Sequence, residues 1–246
     1  SLTHQPCICY ALQPHLFHPN IENVLLEMMK FPNFRGIRFR PRPNEWTDDN
    51  DAELRRGVAM LDKYNLTMDY WEHDYTLLPK FIRLAKAFPN VTMILDHLGG
   101  YVGPGMTNKE FEDWKKNMSI LGKECPNVNL KVGGIQMEEN EFGFQLRETP
   151  IDSEDLAQVT MKYYGYAIDC FGPSRCMFES NFPVDKSCVS YRTLWNAFKR
   201  IANMKNMTPS DKDAIFHDTA CRVYKLNDET SKILKTKMMN FFKLAP

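Results

Sequence analysis

The residues of this chain best suited to chemistry interrupt otherwise apolar runs. Ile94-Leu95-Asp96-His97-Leu98-Gly99-Gly100 sets an Asp-His pair where such a run meets two glycines. An imidazole there can polarise a carbonyl, shuttle a proton or bind a metal, and the glycines let backbone approach a ligand closely. Its bland alternative is a histidine that only bonds neighbouring loops. Arg175-Cys-Met-Phe-Glu-Ser-Asn-Phe-Pro-Val-Asp185 is a second such place, an apolar run that breaks into Glu179, Asn181 and Asp185 around a proline. A strand ending in carboxylates and amides is where a parallel α/β barrel gathers its reactive groups, because the carboxyl ends of the strands converge on one mouth.

Three further runs carry polar groups. Trp71-Glu72-His73-Asp74 offers an acid, a base or a metal ligand, although alternation lets only one or two of these face a mouth. In Gly36-Ile-Arg-Phe-Arg40, Arg38 and Arg40 share one strand face, where a guanidinium would either clamp a carboxylate or lactone oxygen or bind rim carbonyls. Lys131 interrupts the apolar Val128–Val132 run just before Gly133 and Gly134. Buried lysines need partners, so it is either an internal salt bridge or a stabiliser of a substrate oxyanion. His15 and His18 lack a third metal ligand, His217 reads as helix packing, and Gly103 and Gly105 do not match phosphate-loop spacing.

Positioning these residues requires strands and helices in alternation. Strands are expected at 7–11, 36–40, 67–71, 91–95, 128–132 and 175–179, with helices near 21–30, 52–64, 77–87, 108–122, 153–171 and 191–203. A last helix follows Thr208-Pro209-Ser-Asp211, where threonine caps and proline fits the first turn. No composition break precedes about residue 227, so 1–226 is expected to be one α/β barrel domain. The tail, 227–246, has Leu234, Met238, Phe241 and Phe242 at helical spacing among lysines.

The bulk composition narrows the partners. In 246 residues, 31 basic and 31 acidic side chains give a formal net charge of +0, which supplies no field for nucleic acid or an acidic membrane. A small-molecule substrate is the expected partner. The seven cysteines include no Cys-x-x-Cys pair and read as free thiols. With no leader or membrane-length apolar run, a cytoplasmic location is expected.

Together, Gly-Ile-Arg at 36–38, Leu-Asp-His-Leu-Gly at 95–99, Pro-Asn-Val-Asn-Leu-Lys-Val-Gly-Gly at 126–134, Arg-Cys-Met-Phe-Glu-Ser-Asn-Phe-Pro-Val at 175–184 and Ile-Phe-His-Asp-Thr-Ala-Cys-Arg-Val-Tyr at 215–224 resemble the amidohydrolase-2 family. More narrowly, they resemble its lactonase-like branch, which includes pyrone-dicarboxylate and sugar lactonases. The resemblance implies a distorted (β/α)8 barrel (TIM barrel) of which the six strands are the third to eighth. The family's His-x-His, which ends the first strand, is not in this sequence, so the barrel is expected to be truncated at its N-terminus, with self-association through the gap. Where the family commonly has an aspartate as base, this chain has Asn181, which cannot accept a proton at neutral pH.

The resemblance implies a hydrolase opening a lactone or ester C–O bond in a small carboxylated or sugar-derived substrate. His97 and Asn181 would be catalytic, with Arg38, His73 and Lys131 on the substrate, and Asp185, Glu72 or Glu179 as the alternative base. Without the paired histidines and the aspartate, no metal ligand is assigned and no cofactor is required; zinc is expected only in a complete barrel. The alternatives are a metal-dependent decarboxylase of the same family and a non-catalytic barrel acting as a binding module.

Overall fold

The computed structural model describes residues 16–42, 44–72 and 74–226. The strand expected at 7–11, His15, His73 and the tail from 227 onward lie outside the described residues. Within them, strands and helices alternate: α1 (Ile21–Met28), β1 (Gly36–Phe39), α2 (Asp51–Lys63), β2 (Thr67–Tyr70), α3 (Leu78–Ala87), β3 (Met93–Leu95), α4 (Asn108–Glu124), β4 (Val128–Val132), α5 (Ser153–Phe171), β5 (Cys176–Phe178) and α6 (Tyr191–Met204). The chain then runs through α7 (Pro209–Asp213), a π-helical segment (Ala214–Asp218) and α8 (Thr219–Val223). All five strands are parallel and stand in chain order, β1-β2-β3-β4-β5. That order with a helix in each connection is the repeat of a β/α barrel.

Alternation along the strands separates two faces. Ile37, Phe39, Met68, Tyr70, Met93, Leu95, Leu130, Cys176 and Phe178 pack into the large apolar core shared with the helices. Ile94 and Met177, on the other face, pack instead with Val223 and Tyr224 from the C-terminal turn. Lys131 on β4 reaches Asp69 on β2, two strands away, at 2.7 Å. Flat neighbouring strands would stand nearly 10 Å apart over two spacings, so this contact requires a concave sheet with the polar residues inside the curve.

Local sequence explains where the helices start. Thr107 and Glu110 form a capping box on α4, Asp152 accepts the N–H groups of Glu154 and Asp155 at α5, and Thr208 and Asp211 repeat the box at α7. The strands are shorter than their apolar runs. Val91 folds its N–H back to Phe88 O, so β3 begins at Met93. Arg175 is drawn into a 3₁₀ turn, where its guanidinium donates to the carbonyls of Phe171, Cys125 and Gly122, so β5 begins at Cys176. Arg40 and Trp71 lie just beyond their strands. Arg40 is exposed and rides over the Trp71 ring at 4.3 Å, the ring that Arg38 meets at 5.7 Å, so the two guanidinium groups keep to one side although Arg40 lies past the end of β1.

Candidate active site

The turn after β3 is built to present an imidazole. His97 (φ 51°) and Leu98 (φ 60°) both adopt the left-handed conformation, and Gly99 and Gly100 continue it. Such backbone in non-glycine residues costs free energy and persists only when the surroundings impose it. Here the Trp114 indole N–H of α4 donates to Leu98 O at 3.0 Å. The imidazole then lies over Gly134, where a Cβ would fall 2.2 Å from Nδ1. A Cβ on Gly133 would fall 2.2 Å from Glu179 O. The two glycines after Lys131 thus make room for the pair they face.

That pair is His97 and Glu179, whose Nδ1 and Oε1 are 2.5 Å apart. On the opposite ring nitrogen, Arg38 Nη2 donates to Nε2 at 3.3 Å. Because a guanidinium only donates, the tautomer that satisfies both contacts carries its proton on Nδ1. The Trp71 ring meets the imidazole edge-on at 5.7 Å. Beneath this layer, Arg38 Nε pairs with Asp96 at 3.2 Å, and Lys131 Nζ lies 2.8 Å from Asp96 and 2.7 Å from Asp69. Tyr224 OH donates to the same Asp69 oxygen at 2.8 Å. One connected chain of polar groups therefore runs from the barrel floor at Tyr224 to the mouth at His97.

Burial and charge set the protonation of these groups. Burial pulls the His97 value down, but Glu179 and Asp96 outweigh it and hold the imidazole above its ordinary value. Burial pushes Glu179 up, yet His97, Lys131 and Arg38 bring it below the usual carboxylate range. Asp96 is pushed up to about 6 by burial and by Asp69, against the pull of Lys131. Lys131 stays well above the usual ammonium value, because Asp69 and Asp96 overcome its burial.

Asn181, beyond β5, is left-handed (φ 50°), and its Nδ2 donates to Asp185 Oδ1 at 2.7 Å. Asp185 is fully buried, which pushes its carboxyl up to about 7. Arg38, His97, Lys131 and Glu179 thus converge as one cluster, with the Asn181–Asp185 pair within range of His97 and Glu179 charge. Glu72 is buried elsewhere on the rim, where its charge acts on Arg40 and Tyr101. Lys131 is engaged by two carboxylates and is not free to meet substrate. Asp69 and Tyr224 were not anticipated, although an aspartate inside the apolar Thr67–Tyr70 strand carries the same signal as Lys131. His217 is buried, with Asp218 on its Nδ1 at 2.7 Å.

Two clefts open among the described residues, and none of Arg38, His97, Lys131, Glu179, Asn181 and Asp185 lines either of them. One, about 410 Å³, is lined by Asp74, Tyr101, Glu110, Glu139 and Glu141, an acidic wall unsuited to an anion. The other, about 520 Å³, opens along the segment that follows Asn181, between Phe144, Arg147, Phe182, Lys186 and Tyr191.

The described residues do not fit a resident metal ion. Among them no three His, Cys, Asp or Glu side chains converge as a ligand set. The two carboxylates that do approach one another, Asp69 and Asp96, already hold the Lys131 ammonium between them.

A concave parallel sheet with histidine, arginine and carboxylates at the strand ends defines a β/α-barrel protein with a polar mouth. The chain belongs to the amidohydrolase family: the family model Amidohydro_2, described as amidohydrolase, matches residues 11–226. It is 34% identical over 226 residues to the uncharacterized protein y4mH of Sinorhizobium fredii (strain NBRC 101917 / NGR234), covering 85% of this chain and 66% of that protein. It is 25% identical over 205 residues to the L-fucono-1,5-lactonase of Burkholderia multivorans (strain ATCC 17616 / 249), covering 78% of this chain and 65% of that one. The chain thus spans slightly less than two thirds of these relatives. A zinc-bound amidohydrolase crystal structure from Burkholderia multivorans shares the fold, with a TM-score of 0.69 at 24% identity over 86% of this chain and 71% of that one.

Proposed function

We propose that this chain carries the reaction centre of a hydrolase that opens a lactone or ester C–O bond in a small carboxylated or sugar-derived substrate. The observation that carries this reading is the His97 imidazole held between Glu179 and Arg38 at the mouth of the sheet. Glu179 fixes the ring through Nδ1, so Nε2 and the Arg38 guanidinium face a common point. A carbonyl oxygen gaining negative charge there accepts from Arg38, which turns from Nε2 to meet it, and from a second proton that the imidazole takes up on Nε2. Preorganised donors at a developing oxyanion commonly supply the largest part of catalysis in acyl transfer. The raised proton affinity of His97, set by Glu179 and Asp96 against burial, favours that second proton.

Lys131 acts one step removed. It holds Asp96, and Asp96 holds Arg38 Nε, so the ammonium positions the guanidinium. The similarity to a curated lactonase supports the lactone class, and Arg38 suits a substrate with a carboxylate or several oxygens.

The test is turnover of L-fucono-1,5-lactone, D-glucono-1,5-lactone and 2-pyrone-4,6-dicarboxylate by the full-length protein, followed by acid release. Hydrolysis of at least one is expected, with His97→Ala lowering kcat/KM by roughly 10²-fold or more. No turnover of any of them by a folded protein would sink the lactonase reading.

A further inference from the structure

Hydrolysis needs a group to take the proton of the attacking water, and the Asn181 amide cannot do so. Glu179 is committed to His97 Nδ1. Glu72 lies with Arg40 and Tyr101. Asp185 is differently placed. It stands four residues beyond Asn181 in the turn Val184–Ser187, wholly shielded from solvent, with Oδ1 taken by the Asn181 amide at 2.7 Å and no hydrogen-bond partner on Oδ2.

Its backbone is fixed on both sides. The Asp185 N–H donates to Asn181 O at 3.3 Å, and its carbonyl accepts from Cys188 and Val189 at 3.0 Å each. A buried carboxylate whose task was only to close this turn would use both oxygens, since buried polar atoms are almost always paired. One oxygen held and one left open is the state of a carboxylate kept ready to accept a proton.

We propose that Asp185 is the proton acceptor of this site and Asn181 its positioning residue. The inference rests on the hydrolase reading. In the step it describes, the water oxygen bonds to the substrate carbonyl carbon while one O–H bond breaks toward Asp185 Oδ2. The carbonyl electron pair moves onto the oxygen faced by Arg38 and His97. On collapse, the C–O bond to the leaving alkoxide breaks, and the proton on Asp185 passes to that alkoxide, leaving a hydroxy acid.

The groups that bear on Asp185 come from several elements. His97 follows β3, Glu179 follows β5, Glu139 lies in the turn after β4, Tyr164 is on α5, and Cys188 ends its own turn. Burial raises the Asp185 carboxyl, the Asn181 amide and His97 lower it, and Glu179 and Glu139 raise it again, to about 7. A general base works best with a value near the operating pH.

The experiment combines kinetics with infrared titration of the full-length protein carrying ¹³C-labelled aspartate carboxyls. Two carboxyl bands above the ordinary aspartate range are expected in the wild type, Asp96 at about 6 and Asp185 at about 7, and only the latter should be absent in Asp185→Asn. Asn181→Ala should move it to higher pH, because that substitution removes the bond that favours the ionised form. With the lactone hydrolysed fastest, Asp185→Asn should lower kcat by roughly 100-fold or more and abolish the acid limb of the kcat profile. The swapped variant Asn181→Asp/Asp185→Asn, which keeps one carboxylate in the pair, should regain part of the rate. A carboxyl that titrates in the ordinary aspartate range, or an Asp185→Asn protein with unchanged kcat and pH profile, overturns the proposal. Absence of lactone turnover by the wild type counts against the hydrolase reading alone, and the infrared titration with its Asn181→Ala shift still decides the role of Asp185.

Discussion

Lys131 carries the clearest consequence at the scale of single residues. Its ammonium is shared by Asp69 and Asp96 in the interior of the curve, and removing it leaves two carboxylates without their common counter-ion. Breaking a buried pair from one side typically costs about 3–5 kcal/mol, because the remaining charge stays desolvated. Lys131→Met is therefore expected to lower stability by about that amount in urea unfolding, and Asp69→Asn/Lys131→Met to recover part of it. Equal midpoints for wild type and Lys131→Met would show that the ammonium is not a structural counter-ion. The sequence made Lys131, His97 and Arg38 legible because each is a polar residue inside or just after an apolar run. It left the partner of each open, since partners come from different strands: Glu179 reads as a spare base until the fold sets it on His97.

At the scale of elements, the glycine pair after β4 decides whether that pairing is possible. Gly134 has φ 76°, and a Cβ there would meet the His97 ring at 2.2 Å, with backbone strain added to the clash. Gly134→Ala should consequently displace the imidazole and lower kcat/KM by roughly as much as His97→Ala. A crystal structure of Gly134→Ala with His97 in place and wild-type kinetics would refute this account. The alternation of strands and helices was legible from periodicity and from the capping residue Thr208. Strand ends were less so. Val91 and Arg175 extend their apolar runs by composition, yet a turn bond at Val91 and guanidinium–carbonyl bonds at Arg175 remove both from the ladder.

Over the whole molecule, the cluster joins three carboxylates, Asp69, Asp96 and Glu179, to two cations, Arg38 and Lys131, so a proton on His97 balances the buried charge. That arrangement shapes stability against pH. Asp185 and Asp96 hold protons to about 7 and about 6, above their unfolded values near 3.8. The native state therefore binds more protons than the unfolded chain from about pH 4 upward, and stability falls as pH rises through these values. His97, raised above its ordinary 6.5, adds stability that is fully present below that value and is lost as pH climbs through its folded value. Glu22, paired with Lys63, and Asp152, bonded to the Asp155 and Glu154 N–H groups, are both lowered, and their contribution disappears as pH falls below about 4. Glu179 is lowered as well and is lost on the same acid side. The thermal midpoint is thus expected to peak near about pH 5 and to decline toward pH 8, a decline that Asp185→Asn should flatten by removing the costliest ionisation. Calorimetry across this range checks it: a midpoint that climbs steadily from pH 5 to pH 8 would mean that these carboxyls are not buried with their protons in the native state.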